Sequence, residues 1–304
     1  MTDSDTILID SNYLGHRARY TMKGLSHGAK GTGVIFGYLS QILHLSEMFK
    51  TNDLVLCWDS RKSIRKIGYP WYKKRKELTD EEREDLQDAL RQFDLLREEI
   101  LPEIGFENIL MSTGYESDDL FGEIIKTWPG SFVIVSADED LFQLLHGCRC
   151  YNPNKNKMMT SSRLFSEYGI KPKQWVMVKA IGGCSSDTVP GIPGVGEKTA
   201  IKYLKGELKP ASKAFQSIEA GKDVIARNLK VVSLPLAGVE LQDKIPNRYS
   251  MPGFLNVCSK YGMDSFLEED MLLRWETLFS GESDPVRNKM KKRRGLGLAR
   301  KDEE

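Results

Sequence analysis

Short apolar runs and helical periodicities alternate along the first part of this 304-residue chain. Ile7–Ile9, Leu54–Trp58, Ile109–Met111 and Phe132–Val135 are strand-length stretches of mostly aliphatic residues and read as buried strands. Between them, Val34 to Phe49 and Leu86 to Ile100 carry apolar residues at helical spacing. The alternation predicts an α/β fold with a mostly parallel central sheet flanked by helices. Near residue 180 the texture changes. The segment GGCSSDTVPGIPGVGEKTA is rich in Gly and Pro, and helical segments follow it with no further strong strand run. A domain boundary is therefore expected just before it, separating a core over 1–178 from a helical region over 179–285. The stretch from Ser283 is basic and poor in large apolar residues, so 286–304 reads as a basic, mobile tail.

A hydrophobic fraction of 40% supports a real core. With 44 basic and 43 acidic residues the net charge is +1, so any nucleic-acid partner must be recognised by local charge, not by a global excess. The five cysteines, Cys57, Cys148, Cys150, Cys184 and Cys258, form no CxxC pair, which suits a reducing compartment and excludes an ordinary structural zinc site. No stretch approaches the ~18 apolar residues of a membrane span, and the acidic N-terminus does not resemble a signal peptide. Neither secretion nor a membrane partner is expected, and the cytoplasm is the default location. The four histidines show no ligand spacing.

Chemistry enters at the strand ends. Three of the expected strands run into an aspartate: Asp10 after ILI, Asp59 after VLCW and Asp138 after FVIVSA. In an open parallel sheet these ends share the edge where ligands bind, so carboxylates distant in sequence can converge there. Asp140 follows Asp138, and the cluster Glu116, Ser117, Asp118 and Asp119 lies where the Ile109–Met111 strand gives way to a helix. Asp187 lies in the Gly-rich segment. Each acid taken singly also reads as a helix cap or a solvated loop residue. Converged, they would repel one another unless cations neutralised them, and hard oxygen ligands without histidine select Mg²⁺ or Mn²⁺. Two such ions ~4 Å apart are a standard device for phosphodiester hydrolysis.

Directly after Asp59, RKSIRKIGYPWYKKRK holds eight Lys/Arg, no acid, and the aromatics Tyr69, Trp71 and Tyr72. Basic residues interleaved with aromatics suit a surface that tracks phosphates and stacks unpaired bases. Arg61 and Tyr72 are candidate DNA contacts. Lys73 is the candidate for direct help at the scissile phosphate, with Arg65 and Lys76 assisting. A solvated helical hairpin with balancing charges is the alternative. Further on, Gly191, Gly194, Val195, Gly196, Lys198 and Lys202 fit a helix–hairpin–helix, whose backbone N–H groups and lysines grip duplex phosphates without reading sequence. A plain turn is the alternative there. The spacing excludes a Walker phosphate loop, so ATP is not implied.

These segments resemble the flap endonuclease group of 5′ nucleases, which includes the 5′ nuclease domains of bacterial DNA polymerases and stand-alone phage enzymes. GYESDDL (Gly114 to Leu120) resembles the family's GYEADD motif. SADEDLFQLL (Ser136 to Leu145) resembles GDKDLLQL, and IRKIGYPWYKKRK resembles the FRxxxYPEYKxxR arch segment. The run from Lys171 to Ala200 is similar to PEQ…GDxSDNIPGVPGIGxKTA. In length the chain is similar to stand-alone phage enzymes of the T4 ribonuclease H type, which remove RNA primers and flaps in replication.

The resemblance implies a PIN-like nuclease core, a helical arch at about 60–85 and a helix-three-turn-helix domain. It implies a first ion held by Asp10, Asp59, Glu116, Asp118 and Asp138, and a second approached by Asp119, Asp140 and Asp187. Arg65, Lys73 and Lys76 fall on the arch's basic positions. Two Mg²⁺ ions, replaceable by Mn²⁺, are the implied cofactors. The implied partners are DNA with a 5′ single-stranded arm, or an RNA–DNA hybrid, together with replication proteins. The protein is expected to be a monomer, in the host cytoplasm if phage-encoded. Two positions depart from the pattern: Cys184 stands where the GDxxD motif has its first aspartate, and Thr188 replaces the usual Asn. Cys184 motivates an alternative function, a structure-specific DNA-binding protein with a weakened second metal site. An RNA-directed nuclease of related architecture would lack the arch and the duplex-gripping hairpin.

Overall fold

The computed structural model describes residues 5–28, 30–74 and 77–279, so Lys76 and the basic tail lie outside the described residues. Two compact units are present. The first comprises the described residues up to Tyr13, then Val55–Thr79 and Leu110–Asp243. The second comprises Leu14–Leu54, Asp80–Ile109 and the described residues from Lys244 on.

The first unit carries the sheet. Its strands are β1 (Thr6–Asp10), β2 (Leu54–Cys57), β3 (Ile109–Leu110), β4 (Phe132–Val135), β5 (Cys148–Asn152) and β6 (Lys157–Met159), in the order β3-β2-β1-β4-β5-β6. Every residue of β1, β2 and β4 is buried, as expected of strands covered on both faces. Parallel pairing sets Ile9 opposite Val135, and Val135 opposite Tyr151, while β6 returns antiparallel to β5. Chain order reverses between β1 and β4, the switch point at which open α/β sheets hold ligands beyond their strand ends.

The four expected strands are all present, but β5 and β6 are additional. Their sequences, CRCYN and KMM, have no β-branched run, and their pairing comes from neighbours in space. Trp58 and Met111 fall just outside their strands; Trp58 still donates its N–H to the Leu110 carbonyl at 2.8 Å.

The division into units differs from the boundary expected between 178 and 179. The helix Pro172–Gly182 runs through that point. Its Trp175, Val178 and Ile181 share one core cluster with Leu8 and Ile134 of the sheet and with Ile192, Val195 and Ala200 beyond the Gly-rich turn. Glycine and proline there shape a tight connection inside one core. Gly183–Cys184 pairs antiparallel with Val189–Pro190, and a Cβ on Gly191 would stand 2.4 Å from the backbone of Gly182. Gly194 has φ +76°, a conformation that L side chains rarely adopt.

The described part of the second unit is mainly helical and holds a two-stranded ribbon, Ser26–His27 with Lys30–Gly31. The helices Gly33–Phe49 and Asp80–Leu95 meet the expected periodicities, the latter continuing through a widened π turn at Leu96–Ile100. Thr32 provides no side-chain cap for the first of these. Instead the buried Gln92 Oε1 accepts from the N–H groups of Val34 and Ile35 at 3.0 and 3.2 Å. Phe254, Phe266, Trp275 and Phe279 form an aromatic core, with Phe254 and Trp275 stacked at 4.2 Å.

Candidate active site

The sheet's central strand ends in the first acid. Asp10 closes β1, where the parallel register brings it level with Ser136 at the end of β4. Ser136 Oγ donates to Asp10 Oδ2 at 2.9 Å, and the Tyr13 N–H donates to Oδ1 at 2.9 Å. Burial, then repulsion from Asp59, pushes the Asp10 pKa up to about 7 despite those two bonds. Asp59 lies two residues past β2. Its N–H donates to Asn12 Oδ1 at 2.9 Å, and its Oδ1 accepts from Ser117 N–H and Oγ at 2.8 and 2.9 Å. Those bonds tie the end of β2 to the start of the helix Ser117–Thr127.

That helix supplies Asp118 from its first turn and Glu116 as its N-cap. Burial, then Asp138 and Asp10, holds the Asp118 carboxyl well above the usual carboxylate range. Asp138 caps the short turn Glu139–Leu144, accepting from the Asp140 N–H at 2.7 Å. Burial first, and repulsion from Asp140 next, pushes its pKa up to about 7. Asp10, Asp59, Asp118 and Asp138, from separate chain segments, thus repel one another at one edge of the sheet.

Asp140 and Asp187 extend the cluster. Ligand atoms of Asp140, Cys184 and Asp187 all lie within 4.8 Å of one another. Lys179, buried on the Pro172–Gly182 helix, sets its Nζ 3.0 Å from Asp140 Oδ1 and 3.4 Å from Glu197 Oε2. Asp187 sits in the turn of the 183–190 hairpin, and its carboxyl is raised chiefly by burial.

Lys73 faces this group. Its Nζ donates to Glu116 Oε2 at 2.8 Å and stands 3.8 Å from Asp187 Oδ1. Burial alone would lower its pKa; Glu116, with Tyr72 and Asp187, overrides burial and raises it, so Lys73 stays charged. A backbone clasp sets its position. Lys73 N–H donates to the Asp187 carbonyl at 2.8 Å, Lys74 N–H to Thr188 Oγ1 at 3.2 Å, and Thr188 Oγ1 to the Trp71 carbonyl at 2.5 Å. Lys73 and Thr188 both take the left-handed conformation, at φ +48° and +55°. The threonine replacing Asn therefore holds a conformation that β-branched residues avoid, and its hydroxyl ties it to the basic segment.

Three assignments are corrected by this geometry. Asp119 is fully buried and turned away from the cluster: Arg65 clamps both its oxygens at 2.5 and 2.8 Å, and the N–H groups of Leu236 and Glu116 add 2.9 and 3.2 Å bonds. With its acceptors occupied, Asp119 has no role left as a metal ligand. Arg65, 4% exposed and also bonded to the Val231 carbonyl, is equally unavailable to a phosphate. Tyr72 is no stacking platform, because it is buried and its hydroxyl donates to Glu116 Oε2 at 3.0 Å. Among the duplex-gripping candidates, Val195 is a core residue and Gly191 a packing position, whereas Gly194, Gly196, Lys198 and Lys202 are exposed. Lys198 and Lys202 stand one turn apart on the helix Glu197–Leu204. Arg61 is exposed as well.

Lys179, Ser136 and Asn12 orient or neutralise the acids, yet none is among the residues that the sequence singles out. Serine and asparagine beside a strand end carry no distinctive signal. Lys179 shows itself only through its helical phase, one turn after Trp175, over whose ring its Nζ stands at 5.4 Å.

Comparisons with known proteins give the chain's family. Residues 5–169 match the family model described as the 5′-3′ exonuclease N-terminal resolvase-like domain. The chain is 28% identical over 241 residues to a 5′-3′ exonuclease of Buchnera aphidicola, covering 77% of this chain and 81% of that protein. It is 29% identical over 250 residues to the thermostable DNA polymerase I of Thermus thermophilus; the match covers 79% of this chain but 29% of the polymerase. Among solved structures, the T5 5′-exonuclease with bound divalent metal ions (zinc) superposes with a TM-score of 0.63 at 20% identity, over 76% of this chain and 90% of that one. That last likeness is one of fold. With the matched domain spanning more than half of its length, the chain belongs to the 5′-3′ exonuclease family.

Proposed function

We propose that this protein is a divalent-metal-dependent 5′ nuclease that hydrolyses phosphodiester bonds in 5′-flap, branched or RNA-primed duplex DNA, with primer or flap removal in replication as its setting. The observation that carries the reading is the cluster of Asp10, Asp59, Asp118 and Asp138. These carboxylates crowd the switch point of the sheet, where mutual repulsion and burial raise the pKa of Asp10, Asp118 and Asp138, and a cation would relieve both. Their donors are hard oxygens, which fit Mg²⁺ or Mn²⁺. Asp10, Asp59, Asp118, Asp138 and Glu116 would hold a first ion, and Asp140 and Asp187 a second. When bound, such ions lower the pKa of a water and stabilise the leaving oxygen.

The chain's own residues do the rest. Lys73, kept charged by Glu116 and fixed by the Asp187 carbonyl, offers its ammonium to the scissile phosphate. Ser136, Asn12 and Ser117 hold the loops that carry the carboxylates. Lys198 and Lys202 supply exposed charge for the duplex phosphates. A related structure supports a nucleic-acid substrate: a phage T5 flap endonuclease, at a TM-score of 0.64 and 21% identity, was crystallised as a complex with DNA and metal ions.

The test is Mg²⁺-dependent cleavage of a 5′-flap duplex by the parent and by Asp138→Asn. Cleavage by the parent, reduced on the order of 10²–10³-fold in the variant, is expected. Metal-independent flap binding without cleavage would instead support the DNA-binding reading that Cys184 motivates.

A further inference from the structure

A hollow of about 860 Å³ opens on the first unit, at the sheet edge away from the acids. It lies where the start of β5 meets the first turns of the helices Ser161–Tyr168 and Pro172–Gly182. The strand register fixes which edge this is. Cys148 and Arg149, on its lining, open β5 and pair with Phe132 and Val133 at the start of β4, whereas Asp10 and Asp138 lie at or beyond the opposite strand ends. At ~3.3 Å per residue, the length of β5 sets roughly 15 Å between the two edges. The occupant of the hollow is therefore distinct from a phosphate held at the acids.

Two properties of the lining define that occupant. Leu145, Phe165 and Pro172 give it apolar walls, and Phe165, unlike its buried neighbour Leu164, is 56% exposed. Among the described residues, the lining holds cationic side chains and no carboxylate. Arg149 is paired with Asp5, but Lys171 and Lys173 are exposed and have no ion-pair partner among the described residues. In a chain with 44 basic and 43 acidic residues, unmatched cations around an apolar hollow are a local excess. Apolar walls favour bulky side chains, and unmatched lysines favour carboxylates. Single-stranded nucleic acid is a poorer fit, because it uses a groove with successive stacking rings, and Phe165 is the one Phe, Tyr or Trp among the described lining residues. We propose that the hollow docks an acidic, apolar peptide segment of a partner protein, its large side chains against Leu145, Phe165 and Pro172 and its carboxylates against Lys171 and Lys173. The inference goes beyond the nuclease reading and does not depend on it. With the hollow and the acids at opposite strand ends, partner and substrate are held at the same time.

Fluorescence anisotropy with the full chain tests this. The probe is a pool of labelled short peptides that mix aspartate and glutamate with leucine, phenylalanine and tryptophan in random order. Two control pools carry lysine in place of the acids, or serine in place of the apolar residues. The parent is expected to bind the acidic, apolar pool, more weakly as salt rises, and neither control pool. Lys171→Glu combined with Lys173→Glu, and separately Phe165→Ser, should each weaken binding about 10-fold or more. Lys209→Glu, which reverses an exposed lysine off the lining, should leave it unchanged. No binding by the parent, or binding indifferent to the lining variants, overturns the proposal. A single-stranded oligodeoxynucleotide is titrated in parallel, and its affinity should survive Phe165→Ser. Oligonucleotide binding lost with Phe165→Ser, in a variant whose denaturation midpoint is unchanged, would make the hollow a nucleic-acid site and also overturn the proposal. Mg²⁺-supported flap cleavage is assayed on the same preparations: cleavage without peptide binding refutes this inference alone, and peptide binding without cleavage refutes the nuclease reading alone.

Discussion

Two buried acidic regions lie side by side in the first unit and are neutralised in different ways. Asp119 is matched within the chain by the forked guanidinium of Arg65 and by two backbone N–H groups. Asp118, the preceding residue, faces Asp138, Asp10 and Asp59, with Lys73 the opposing charge. One helix turn therefore holds both a completed ion pair and a member of a group of carboxylates in want of a cation. A finished pair builds structure, whereas an unfinished cluster binds something.

The largest expected effect comes from unfinishing the pair. Arg65→Ala leaves Asp119 buried and unpaired, and should cost about 3–5 kcal/mol of stability, read from denaturant midpoints. A loss under ~1 kcal/mol would mean that Asp119 is not held as described. The smallest effect belongs to solvated charge. Lys198→Ala and Lys202→Ala should leave stability within about 0.5 kcal/mol of the parent. Each should weaken duplex DNA binding and reduce its logarithmic salt slope by about 0.9. An unchanged slope would remove these lysines from the interface.

The same contrast explains what the sequence alone makes legible. Runs such as ILI and FVIV mark strands buried on both faces, and an aspartate beyond each run marks the ligand-binding edge. Asp10, Asp59 and Asp138 are legible for that reason, and Asp118, Asp140 and Asp187 through the motifs around them. Asp119 is not separable from Asp118, since only the helix phase turns one toward Arg65 and the other toward Asp138. Arg65 and Tyr72 sit among lysines in a basic segment, and nothing local distinguishes the two that fold inward. Strands β5 and β6 lack an apolar run because their pairing depends on β4.

The most direct measurement is the stability of metal-free protein between pH 5 and pH 8, with and without Mg²⁺. Asp10 and Asp138 have pKa values raised to about 7 from 3.8, so the folded state binds more protons than the unfolded state across that window. Stability without metal should therefore fall as pH rises toward 7, and Mg²⁺ should restore it more at pH 8 than at pH 5. Stability that is flat or rising with pH, and indifferent to Mg²⁺, would contradict a carboxylate cluster that is completed by cations.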